Sequence, residues 1–136
     1  MADSPPLRVL IVDGCPDTRN CLRRLLGSWG HEVREAADGP AALMGANAFL
    51  PEVVLLDLAV PRMDGYEVAR RLRRLPGLGR PLLVAVTGTD RGCDVTRARE
   101  AGFDLLLARP VDPEQLCRLL GPPPGPGRAF AAFRDL

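Results

Sequence analysis

The chain has no lysine: all 18 of its basic residues are arginine. A Walker-type phosphate loop and a Schiff-base lysine are therefore both excluded. Histidine is nearly as scarce, with His31 alone, which removes multi-histidine metal sites and leaves a histidine-based triad without a motif. Cys15, Cys21, Cys93 and Cys117 form no C-x-x-C pair and no regular framework. They read as reduced thiols, expected to act as small buried hydrophobes. Charge of one sign is not in excess: 17 acidic residues leave a formal net charge of +1, so nothing pulls the whole chain toward nucleic acid or an anionic membrane. No apolar run approaches the roughly 18 residues of a membrane span, and MADSPPLR lacks a signal-peptide pattern, so the expected location is the cytoplasm.

What remains is a chain of 136 residues, 46% apolar, which fits one domain with a substantial core. Five runs have strand length: LRVLIVD (7–13), HEVREA (31–36), EVVLLD (52–57), PLLVAVT (81–87) and FDLLLA (103–108). Helical spacing separates them. Over 17–29, Cys21, Leu22, Leu25, Leu26 and Trp29 form a stripe; over 65–75, Val68, Leu72 and Leu75 do the same. Pro40 after Asp38-Gly39 opens a helix over 40–49, and Asp112-Pro113 caps one over 113–120. The stripe over 89–101 is thinner, with Val95, Ala98 and Ala101.

VVLL and LLVAV are apolar on consecutive positions, so both faces of those strands must be covered, as in a parallel sheet between helical layers. HEVREA alternates, as an edge strand does. The expected fold is α/β: a doubly wound, five-stranded parallel sheet of order 2-1-3-4-5 flanked by five helices. The folded unit is placed at 7–120, after an N-terminal extension at 1–6. GPPPGPG cannot continue a helix, so 121–136 reads as a linker and a short tail.

Four strand ends then meet at one crevice. Asp13, Asp57, Thr87 and Arg109 follow the first, third, fourth and fifth strands. A carboxylate nucleophile, a second carboxylate to help hold a divalent cation, a hydroxyl and a fixed positive charge are the requirements of phosphoryl transfer to an aspartate.

The stretches VLIVDG, VVLLDLAVPRMDGYEVARRLR, LLVAVTG and ARPVDPEQL resemble the receiver domain of two-component response regulators, which has a flavodoxin-like fold, over about residues 7–120. The block from Val53 through Asp57, Pro61, Met63, Asp64 and Gly65 is the most specific part. The resemblance implies that Asp57 is the phosphoacceptor, charged by a phosphohistidine on a histidine kinase or phosphotransfer protein. It implies that Asp13, Asp57 and the backbone carbonyl of Ala59 hold Mg2+, and that Thr87, followed by the small Gly88, turns onto the phosphoryl oxygen. Three positions depart from the family pattern. Gly14 stands where a second acid is usual, Arg109 where a lysine is usual, and Leu106 where an aromatic ring is usual.

Mg2+ binding is accordingly expected to be weakened, because two carboxylates remain where three are usual. Gly14 has a second reading, a turn that needs positive φ. Arg109 has two as well: compositional drift in a chain without lysine, or a pocket re-tuned for phosphate. Asp17 is expected to serve the dipole of the first helix, and the arginines at 70, 71, 73, 74 and 80 to form a solvated helix face.

The leading functional expectation is a phosphorelay receiver, not an enzyme beyond its own phosphorylation at Asp57. It would signal through protein contacts on the face of the fourth helix, fifth strand and fifth helix, with homodimerisation open. No DNA-binding segment is visible after residue 120, so no direct DNA contact is expected. The alternatives are a phosphorylation-independent receiver-like binding module, favoured by Gly14, Arg109 and Leu106, and a haloacid-dehalogenase-type phosphatase. The latter lacks its D-x-D motif, since Cys15 stands two positions after Asp13.

Overall fold

A computed structural model describes residues 5–88 and 95–120. Residues 1–4 of the N-terminal extension, Cys93, the start of the helix expected at 89–101, and the 121–136 tail lie outside the described residues.

Five strands alternate with five helices: β1 (Arg8–Val12), α1 (Pro16–Ser28), β2 (Glu32–Ala36), α2 (Gly39–Phe49), β3 (Val53–Asp57), α3 (Gly65–Arg74), β4 (Leu82–Thr87), α4 (Val95–Ala101), β5 (Leu105–Ala108) and α5 (Pro113–Leu120). The strands pair in parallel in the order β2-β1-β3-β4-β5. Consecutive apolar residues do cover both faces. Leu10, Val12, Val54, Leu56, Leu83 and Ala85 point into one buried cluster with α2, α3 and α4. Val9, Ile11, Val53, Leu55, Val84, Leu105 and Leu107 point into the other, with α1 and α5. Leu10, Leu56 and Leu83 are wholly buried; each such leucine contributes about 1.5–3 kcal/mol relative to exposure.

The helix starts follow local chemistry. Asp38 caps α2 by accepting from the Ala41 N–H at 2.8 Å, and Asp64 caps α3 by accepting from the Tyr66 N–H at 3.2 Å. Asp112 accepts from the Glu114 N–H at 3.0 Å just before Pro113 opens α5. Each cap satisfies an N–H that the helix leaves without a partner.

Three packing expectations are corrected. Cys21, placed in the α1 stripe by spacing, is exposed, as is Cys15, and Cys117 is half-buried. Only Leu26 of α1 is buried, with Leu22, Leu25 and Trp29 packed partly against the core, so the stripe is narrower than its spacing suggested. Val95 is exposed while Ala98 and Ala101 are buried, because the seat of α4 is made by its small residues. The arginine cluster is not wholly solvated either. Arg70 and Arg71 pair with Glu67 on α3 itself, but Arg73 turns inward, with its side chain only 15% exposed.

His31 is 8% exposed; its Nδ1 accepts from the Leu7 N–H at 3.1 Å, while Nε2 has no partner among the described residues. Burial pushes this imidazole below its ordinary pKa of 6.5. The unfolded chain therefore binds a proton before the folded one. Stability is complete above about pH 6.5 and falls as pH drops below it, with a slope of at most about 1.4 kcal/mol per pH unit for one group. Urea midpoints between pH 5 and 8 should show this slope in the wild type and lose it in His31→Gln; equal slopes would refute the assignment.

Candidate functional site

Register brings the strand ends together. Val12 pairs with Leu56, so Asp13 and Asp57 leave neighbouring strands side by side. Asp57 pairs with Val86, and Thr87 with Ala108, which sets Thr87 one step beyond Asp57 and Arg109 just past the end of β5. The backbone continues the ladder: the Arg109 N–H donates to the Thr87 carbonyl at 2.9 Å, and the Asp13 N–H to the Ala36 carbonyl at 3.1 Å. The Arg109–Pro110 peptide is cis.

Asp13 is 4% exposed. Its Oδ1 accepts from the Cys15 N–H at 2.8 Å, and its Oδ2 from Arg109 Nη2 at 2.7 Å. Asp57 is arranged in the same way: Oδ1 accepts from the Ala59 N–H at 3.0 Å, and Oδ2 lies 3.0 Å from the same Arg109 Nη2. One guanidinium nitrogen thus joins both carboxylates. Burial works against the charge on Arg109, but the Asp13 hydrogen bond and the Asp57 charge outweigh it and raise the arginine's pKa.

Thr87 is half-buried, and its hydroxyl donates to the Gly88 carbonyl at 3.0 Å. Leu106 is half-buried against the cluster beneath α4, on the opposite face of β5 from Leu105 and Leu107. Asp17 lies in the first turn of α1, as expected, and also lines a cavity of about 580 Å3 that runs from Asp13, Asp57 and Arg109 toward Ile11, Leu55 and Val86. Cys21 lines the same cavity, which accounts for its exposure. Gly14 does not adopt positive φ, so the turn explanation for it is withdrawn. A Cβ there would stand 3.0 Å from Pro61 Cδ, so the ring of the β3–α3 loop lies over that position.

The donor set does not fit a resident divalent ion as arranged. Among the described residues no three acidic, histidine or cysteine side chains are placed to hold one metal ion together. All four oxygens of Asp13 and Asp57 already have partners, and Gly14 offers no side-chain oxygen. Sequence reading also missed Arg19, whose Nη1 donates to the Asp13 carbonyl at 2.6 Å and whose Nε pairs with Glu35 at 3.1 Å. Arginine at the start of α1 gave no signal of this, because its partner is backbone.

A parallel sheet of order 2-1-3-4-5, with two carboxylates and a cation at its carboxyl edge, places the molecule in the doubly wound, flavodoxin-like class with its site at the switch between strands. Within that class the chain belongs to the response regulator receiver domain family, which matches residues 9–120. It is 38% identical over 112 residues to an uncharacterized 14.6 kDa protein of Leptolyngbya boryana, covering 82% of this chain and 86% of that one. It is 36% identical to the response regulator MprA of Mycobacterium sp. (strain KMS), covering 96% of this chain but only 59% of MprA. The fold superposes on chemotaxis protein CheY4 of Vibrio cholerae with a TM-score of 0.76 at 26% identity, covering 82% of this chain and 93% of CheY4. The chain is thus a receiver domain of two-component phosphorelay signalling. Receiver domains bind Mg2+ at an acidic pocket and interact with histidine kinases and downstream targets. No helix among the described residues is long and apolar enough to cross a membrane.

Proposed function

We propose that Asp57 is the phosphoacceptor of this receiver. A carboxylate oxygen of Asp57 attacks the phosphorus of a phosphohistidine; the P–O bond forms as the P–N bond breaks, and the imidazole leaves and takes up a proton from solvent. The observation that carries the reading is the 3.0 Å ion pair between Asp57 and Arg109, which sets a forked cation beside the oxygen that would bear the phosphoryl charge. Asp13 holds that cation from the other side, and Thr87 and Gly88 stand one register step away for the phosphoryl oxygens. The donor is a histidine kinase or a phosphotransfer protein. Mg2+ binding at Asp13, Asp57 and the Ala59 carbonyl is weak, because Gly14 supplies no carboxylate. Output passes to a protein target on the α4–β5–α5 face, where Leu106 takes the place of the usual ring, or to a second copy of the chain.

The test is intact mass after incubation with acetyl phosphate, with and without MgCl2. Wild type is expected to gain one phosphoryl mass and Asp57→Asn none. No adduct on wild type under any condition would overturn the reading and favour a receiver that binds its target without phosphorylation.

A further inference from the structure

We propose that the outward face of α2 is a contact surface for a second copy of this chain, the two α2 helices running antiparallel about a two-fold axis at Met44. The helix, GPAALMGANAF, carries no charged residue. Its inner positions Gly39, Ala42, Ala46 and Phe49 are buried. On the opposite side Pro40, Met44, Asn47 and Ala48, spaced i, i+4, i+7 and i+8, are exposed, Met44 to 75%. The other helices turn charge to solvent, as at Arg24 on α1, Arg74 on α3, Glu100 on α4 and Arg118 on α5. A helix apolar on both sides is one that both sides bury. Leu50 extends the patch: it ends α2 at φ 53°, a left-handed position where glycine costs less, yet it presents an apolar side chain that is 40% exposed.

Symmetry and charge identify the occupant as a second copy. Met44 is the midpoint of the eleven-residue helix, so an antiparallel copy sets Met44 against itself and Pro40 against Ala48, with small side chains beside the axis that let the backbones approach. The two ends of α2 differ in charge. At the carboxyl end Arg34 of β2 is exposed, its guanidinium 4.6 Å from the Phe49 ring centroid, and no acidic group pairs with it among the described residues. At the amino end Asp38 caps the helix, and Arg62, itself 73% exposed, reaches it only at 3.5 Å. Antiparallel pairing brings the Arg34 end of each copy to the Asp38 end of the other and opposes the two helix dipoles. A partner of one charge sign along its length would match only one end. The strand order puts β2 and β5 at opposite edges of the sheet, so pairing through α2 leaves the α4–β5–α5 face of each copy open. One helix pair falls at the small end of specific interfaces, so the expected Kd is roughly 10 μM to 1 mM.

The experiment is sedimentation equilibrium of the full chain, without phosphodonor, from about 10 μM to about 1 mM. Wild type is expected to pass from monomer toward dimer. Met44→Glu sets like charges against each other at the axis and should weaken association at least about tenfold. Val95→Glu, which charges an exposed apolar position on α4, should leave association unchanged. Circular dichroism checks that both variants are folded. In the wild type itself, the 15N amide resonances that move with concentration should cluster at α2 and Arg34, a readout that needs no variant. A chain that stays monomeric overturns the proposal. So does a dimer broken by Val95→Glu and not by Met44→Glu, or concentration-dependent shifts confined to α4, β5 and α5. Amides of α2 that ignore concentration but shift in Phe130→Ser would assign the face to the chain's own tail and overturn it as well. None of these readouts requires a phosphoryl group on Asp57.

Discussion

Replacing Arg73 with alanine is expected to lower folding stability by about 2–4 kcal/mol, read as a shift in urea midpoint at constant slope. Arg73 lies in the last turn of α3 and reaches two other segments, the approach to β4 and the α4–β5 connection. Its Nε and Nη2 donate to the Gly102 carbonyl at 3.1 and 2.6 Å, its Nη1 to the Pro81 carbonyl at 2.7 Å, and its Nη2 also to Asp104 at 2.9 Å. Asp104 in turn accepts from the Leu83 N–H at 2.9 Å. Alanine would leave two carbonyls short of a donor and a carboxylate without its nearest cation, at the entry to both β4 and β5. Those strands deliver Thr87 and Arg109, so the site loosens with the scaffold. Arg70 and Arg71 provide the contrast. Each pairs with Glu67 on the helix surface at i,i+3 or i,i+4, where solvent screening leaves little net stabilisation. An Arg73→Ala protein within about 0.5 kcal/mol of wild type would show that solvent replaces these bonds at little cost.

The contrast among these arginines also marks how far sequence reading reaches. VVLL and LLVAV announce strands buried on both faces because burial acts on every residue of such a strand, and the strand order follows from the crossover rules. Asp13 and Asp57 are legible because a single carboxylate ending an apolar strand is a local signal. Arg70, Arg71, Arg73 and Arg74 look alike in sequence, whereas the role of Arg73 depends on carbonyls 8 and 29 residues away. The bond from Arg109 to Asp13 spans 96 residues. Position predicted a cation near the carboxylates; that one nitrogen would serve both was a matter of three-dimensional placement. Cys21 and Val95 failed for a related reason. Apolar spacing sets the centre of a helix stripe but not its width, which depends on what stands opposite, and opposite Cys21 lies a cavity.

Gly65→Ala is expected to cost about 1–3 kcal/mol of stability and to reduce phosphoryl uptake at Asp57 with it. Gly65 opens α3 directly after the Asp64 cap. A Cβ built there would lie 2.9 Å from both Cα and O of Leu58 and 3.2 Å from its carbonyl carbon. These are backbone atoms, so no rotamer change can relieve the clash. One side must retreat. If Leu58 moves, its N–H bond to the Val86 carbonyl, 3.0 Å long, is strained, and Asp57, its neighbour in sequence, shifts relative to Arg109. If α3 moves, Asp64 loses its hold on the Tyr66 N–H and Val68 and Leu72 are drawn from the core. Gly27 in α1 is the control, because a Cβ there meets nothing within 4 Å; Gly27→Ala should be neutral or stabilising by up to about 1 kcal/mol. Urea denaturation and acetyl phosphate uptake measured on the same samples separate the two retreats. Lost uptake with modest destabilisation means the Asp57 turn moved, whereas a larger stability loss with uptake retained means the helix did. A Gly65→Ala protein unchanged in both would show that the turn and the helix are less closely fitted than this contact requires.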